Sequence, residues 1–108
     1  MIDPTAAAAV FNVVHFRAKP GQAEEFERTY CALPRDMPGL KRFVLLKTGD
    51  EAYCGIGEWT SMEHLVAARP KMGGNLDRLR PLLLVLDDGV SVTSACSGSA
   101  VIDVTIGR

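Results

Sequence analysis

The segment Val10–Arg17, VFNVVHFR, constrains this chain more than any other feature. Its Val and Phe content is that of a strand. The strand period divides it into one face of Val10, Asn12, Val14 and Phe16 and another of Phe11, Val13, His15 and Arg17. Both faces are mainly apolar and both have to be covered. In a chain of 108 residues, a helical layer covers one face of a sheet. The other face needs apolar surface from elsewhere, and a second copy of the chain supplies it.

The elements that follow provide the first cover. Pro20-Gly21 makes a turn, after which Ala23, Phe26, Tyr30 and Leu33 recur at helical spacing with Glu24, Glu25, Glu27 and Arg28 outward. Pro34, Pro38 and Gly39 end that helix. A second strand is predicted from Leu40 to Thr48, a hairpin turn at Gly49-Asp50, and a third strand from Glu51 to Trp59. Gly55 and Gly57 weaken the third strand but clear side chains from one face beside Tyr53 and Trp59, as the floor of a pocket requires.

Thr60 and Glu63 have the spacing of a capping box with Thr60 as N-cap. Leu65, Ala68, Met72, Leu76, Leu79, Leu83 and Leu86 continue a helical stripe, which Pro70, Gly73-Gly74 and Pro81 predict to be two pieces or one kinked helix. Two β-branched runs, Val90–Thr93 and Val101–Ile106, flank the small polar run Ser94–Ser99, and at least one of the two is expected to be the last strand. Residues 1–8 read as a flexible lead. Residues 94–108 read as a tail that either closes its own subunit or crosses to a partner. The order strand, helix, strand, strand, helix, strand is the split βαβ of an α+β, ferredoxin-like domain: a four-stranded antiparallel sheet with helices on one face. With the first strand apolar on both sides, the expectation is one domain over 1–108, paired as a homodimer.

Composition removes several functions. The chain is too short for dinucleotide-binding, TIM-barrel or two-lobed kinase architectures. A formal net charge of −1, with no cationic cluster denser than Lys41-Arg42, argues against nucleic acid or an anionic membrane as partner. No apolar stretch reaches a membrane span, and the N-terminal alanine run lacks the basic start of an export signal, so a cytoplasmic protein is expected. Cys31, Cys54 and Cys96 are too widely spaced for a zinc pattern and read as reduced, packed thiols. With two histidines and neither P-loop nor HExxH spacing, no metal is expected.

Three stretches in order, FRAKPGQAEEFE (Phe16–Glu27), MPGL (Met37–Leu40) and GEWTSMEHL (Gly57–Leu65), resemble the antibiotic-biosynthesis-monooxygenase superfamily of dimeric α/β-barrel proteins. The resemblance implies an apolar cavity in each subunit, between sheet and helices. Its members include oxygenases that oxidise phenols to quinones without metal or flavin, quinol oxygenases, heme-degrading enzymes and proteins without known activity. The implied function is a cofactor-independent monooxygenase acting on a small phenolic or quinol-type aromatic, with no cofactor. The alternatives are a non-catalytic small-ligand-binding or stress-response dimer, and a cyclase-like dimeric-barrel enzyme. The heme-degrading branch uses a helical Trp followed by a His; here the corresponding position falls near Ala68 with no His after it.

Asn12 is the one amide in an apolar strand, on the face that the family directs into its cavity; it is either a catalytic donor or a buried amide that satisfies the backbone. His64, in the first turn of the second helix, is either a proton acceptor for a phenol or a solvated residue at the margin of the stripe. Tyr53, Trp59 and Met72 are candidates for substrate contact, each with a plain core role as the alternative. His15 belongs with Arg17 on the face assigned to the partner, and Ser61 lacks the GxSxG elbow of a hydrolase.

Overall fold

The computed structural model describes residues 8–107. Its elements are β1 (Val10–Arg17), α1 (Ala23–Ala32), β2 (Leu40–Lys47), β3 (Ala52–Trp59), α2 (Met62–Leu79), a short 3₁₀ turn (Arg80–Leu82) and β4 (Thr93–Ser99). The strands form one antiparallel sheet in the order β2-β3-β1-β4. The fold is α+β and ferredoxin-like, with both hydrophobic clusters on the face that the helices cover. Among the described residues no helix is long and apolar enough to cross a membrane.

Register decides which residues meet. Across β1 and β3, Phe16 faces Tyr53, Val14 faces Gly55, Asn12 faces Gly57 and Val10 faces Trp59, all on the helix side. At one end Phe16, Phe26, Tyr53 and Leu79 form a cluster, with the Phe26 and Tyr53 ring centroids 4.7 Å apart. At the other, Val10, Trp59, Leu65 and Ala68 form a second cluster. The opposite side of the sheet carries Phe11, Val13, Val44, Leu46 and Ile56 and, among the described residues, no helix; Leu46 is 43% exposed.

Four details of the sequence reading need correction. The N-cap of α2 is Ser61 rather than Thr60: the Ser61 hydroxyl accepts from the His64 N–H, whereas Thr60 donates to the Gly39 carbonyl. Of the two forms expected for α2, two separate pieces are ruled out: it is one helix through Pro70 and Gly73-Gly74 to Leu79, followed by the 3₁₀ turn that contains Pro81. The turn beside Pro70 is solvent-facing, Val66 being 47% exposed, so water can serve the carbonyl that proline leaves without a donor. Burial of Leu65, Ala68 and Leu79 outweighs a glycine cost of about 1 kcal/mol per residue.

Leu83 lies outside the helix, bridged to Ala18. The last strand is the small polar run rather than either β-branched one. Around Val90, Asp88 Oδ1 accepts from the N–H groups of Val90 and Ser91, and this turn takes the chain out of strand geometry. Beyond Ala100, whose N–H still reaches the Ala9 carbonyl, β1 has ended, so Val101–Ile106 pairs with no strand among the described residues and lies exposed. The flexible lead expected over residues 1–8 lies, except for Ala8, outside the described residues.

Candidate functional site

The helix-covered face is filled at its Tyr53 end by one cluster and closed at its far end by Val10, Trp59, Leu65 and Ala68; beside Asn12, between the two, it is hollow. Between sheet, α1 and α2 lies a cavity of about 340 Å³, a volume suited to a small aromatic molecule. Asn12, Gly57, Trp59, Leu65 and Met72 line it on one side, and Tyr30, Phe43 and Arg35 on another.

Asn12 and Trp59 are joined: the indole Nε1–H donates to Asn12 Oδ1 at 2.7 Å. Trp59 is 1% exposed, so its only polar group needs this acceptor. Gly57 makes the bond possible. A methyl group at that position would fall on Asn12 Oδ1 and 2.9 Å from Trp59 Nε1. An indole N–H can only donate, so it fixes the amide with its oxygen toward Trp59 and leaves the Nδ2 donors for the cavity.

The opposite wall is aromatic. Tyr30 stacks on Phe43 with centroids 5.3 Å apart, and the Arg35 guanidinium lies 5.8 Å from the Phe43 centroid. Burial pushes the Tyr30 hydroxyl up to about 12 against the opposing pull of Arg35, so the phenol stays protonated and can only donate or accept as a neutral group. Asn75 donates to the Pro34 carbonyl, and Lys71 bonds both the carbonyl and the carboxylate of Asp36, tying the segment after α1 to α2. No Asp, Glu or His lines the cavity among the described residues. Nor do three His, Cys, Asp or Glu side chains gather anywhere among them to hold a metal.

Of the five residues singled out from the sequence, the structure brings Asn12, Trp59 and Met72 to this cavity. Tyr53 and His64 stand elsewhere. Tyr53 is buried in the aromatic cluster with its hydroxyl on Glu27. It shares a face with Trp59, but Phe16 and Phe26 fill the space in front of it. His64 packs on Gly39, whose φ of +87° and lack of a Cβ let the ring approach, and its Nδ1 meets the Ser61 hydroxyl at 2.7 Å. The base that a cyclase-like reading needs is therefore away from the cavity.

Sequence reasoning missed Tyr30, Phe43, Arg35 and Arg69. Arg69 had a signal: it stands four residues after Leu65 and three before Met72, a cation on the inward stripe of α2.

The family model described as antibiotic biosynthesis monooxygenase matches residues 9–69, more than half of the chain. This chain belongs to that family. The stretch that matches holds Asn12, Gly57, Trp59 and Arg69, whereas Met72 lies just beyond it. No curated protein is significantly similar in sequence. Among solved structures, SnoaB from Streptomyces nogalater, a cofactor-independent oxygenase, is 26% identical, with a TM-score of 0.67 over 90% of this chain and 97% of its own. A dimeric ferredoxin-like protein from an uncultured marine organism is 13% identical, with a TM-score of 0.72 over 94% and 95% of the two chains. Rv0793 from Mycobacterium tuberculosis, at 13% identity, has a TM-score of 0.70 over 91% and 100%. The last two likenesses concern the fold.

Proposed function

We propose that this member of the antibiotic biosynthesis monooxygenase family is a cofactor-independent oxygenase of small phenolic or quinol-type aromatics. The hydrogen bond from Trp59 to Asn12 carries the reading. It holds two amide N–H donors of Asn12 toward an apolar slot, where they favour a phenolate oxygen over the neutral phenol. Met72 and the indole of Trp59 supply apolar contact with the ring. An electron-rich ring that has lost its proton passes one electron to O₂. The ring radical and superoxide combine as a peroxide anion at a ring carbon, which takes a proton back from water to become a hydroperoxide, and loss of water leaves a carbonyl. In sum, a ring CH₂ of the keto tautomer and O₂ become C=O and H₂O. No acidic or imidazole group lines the cavity among the described residues, so the proton leaves to water and the substrate's own acidity drives the first step.

Kinship with SnoaB supports the chemistry. The open sheet face, with Phe11, Val13, Val44, Leu46 and Ile56, supports a homodimer, which gel filtration would test. Of the three thiols expected to be packed, Cys54 is buried, whereas Cys31 and Cys96 are exposed.

The test is dissolved-oxygen consumption with a panel of phenols and quinols, using protein first treated with chelator. Uptake with quinone formation is expected, and Asn12→Ala should lower turnover by on the order of 10²-fold, as loss of one oxyanion donor does elsewhere. No uptake above background with any member of the panel would overturn the reading. The absence of a lining base would then favour a non-catalytic binding dimer.

A further inference from the structure

We infer that the cavity selects aromatic ligands that carry an anionic group, a carboxylate or its equivalent, and that Arg69 recognises that group. The inference takes this cavity as the ligand site proposed above but does not depend on the oxygen chemistry. Leu65, Arg69, Met72 and Leu76 form one stripe of α2, and all four line the cavity. Three are apolar, as a helix face over a hollow should be. The fourth, Arg69, is exposed as a residue and also lines the cavity, which places it at the rim.

Arg35 is the one other cation that lines the cavity among the described residues. Arg35 donates to the Cys31 and Tyr30 carbonyls at the end of α1, and Lys71 is paired with Asp36. On the sheet, Lys41 is paired with Glu58. Arg69 has neither an ion pair nor a side-chain hydrogen bond among the described residues, and no carboxylate lines the cavity to compensate it. An uncompensated guanidinium at the edge of an apolar slot offers a planar fork of donors that matches a carboxylate. A neutral aromatic would leave it unused. With the acid on Arg69, the ring is left to the apolar wall and to the donors of Asn12.

Trp59 is the chain's single tryptophan and lines the cavity, so its fluorescence reports binding directly. The probes are naphthoate and its methyl ester, which share a ring system and differ by one charge. At low salt, naphthoate should bind about tenfold tighter than the ester, the scale of one charge-assisted hydrogen bond, and the advantage should shrink as salt rises. Arg69→Gln should remove the advantage while leaving ester affinity unchanged, which also reports an intact cavity; Arg69→Lys should keep part of it. Equal affinity for the two probes, or an advantage that survives Arg69→Gln, overturns the inference. If quinols are oxidised but the charge gains nothing, this inference alone falls. If the charge is recognised without oxygen uptake, the oxygenase reading alone falls.

Discussion

Two regions of the helix-covered face are built from the same two strands and reach opposite outcomes. At one end β1 offers Phe16 and β3 offers Tyr53, and with Phe26 and Leu79 they close into a solid cluster. Further along the strands β1 offers Asn12 and β3 offers Gly57, and the space between them and α2 stays open. The backbone pairing is continuous from one end to the other, so side chains and not backbone decide between core and cavity. The solid end holds the fold. The hollow region pays in stability for a site.

Substitutions can break this contrast in either direction. The largest effect belongs to the solid end. Phe26 is fully buried against Phe16, Tyr30 and Tyr53, so Phe26→Ala should cost about 3–5 kcal/mol in chemical denaturation, a large share of what a domain of this size has. An effect below about 1 kcal/mol would mean that this end is as loosely filled as the hollow region. Next is Gly57→Ala, which adds one methyl group where Asn12 Oδ1 and Trp59 Nε1 already stand. That methyl falls on Asn12 Oδ1, so the Trp59 N–H loses its acceptor. Stability should drop by about 1–3 kcal/mol through overpacking, and oxygen uptake should fall with it by at least tenfold. If turnover survives, the Asn12–Trp59 bond does not position the donor.

Much of this contrast was legible in the sequence. Strict alternation along VFNVVHFR set both faces of β1, and a lone amide among Val and Phe marked Asn12. Gly57 was legible as a gap, but its bearing on Asn12 was not, because the pair meets through a strand register that links residues 45 positions apart. Propensity pointed away from β4. TSACSGS forms the edge strand because β1 offers it a free edge, whereas the β-branched run after it meets no partner among the described residues. His64 looked chemical because a histidine near a helix start suits proton transfer. Its neighbour Gly39 comes from a turn far along the chain, and no local pattern announces such a contact.

Titration separates the two regions by smaller amounts. Burial, then the hydrogen bond and charge of Glu27, push the Tyr53 hydroxyl up to about 12. The folded chain thus holds this proton more tightly than the unfolded one, whose tyrosine titrates near its ordinary value of about 10. The stabilisation is complete below about pH 10 and is lost as pH rises through about 12. Glu27 answers with the opposite sign: its Tyr53 hydrogen bond lowers its carboxyl, so that contribution is present above the ordinary carboxylate range and is lost in acid. Tyr53→Phe should cost about 1 kcal/mol at neutral pH and flatten the stability curve at both extremes. The Asn12–Trp59 pair contains no titrating group, so Asn12→Ala should shift that curve down without changing its shape. A change of shape in Asn12→Ala would show that the two regions are coupled.

The smallest effect expected is at His64, and it distinguishes a site from its surroundings. The ring fills the space over Gly39 and caps back onto Ser61, which begins α2, the helix that carries Leu65, Arg69 and Met72 over the cavity. His64→Ala removes a small packed contact and one hydrogen bond at a half-exposed position, worth about 1 kcal/mol or less. Ser61 keeps its backbone cap, since that bond comes from the residue 64 N–H and survives the change of side chain. Oxygen uptake should therefore stay within about twofold, because no atom of the ring reaches the cavity wall. Loss of turnover with an unshifted denaturation curve would instead return the proton acceptor to His64, and the hollow region would then need a movement of the α2 start to use it.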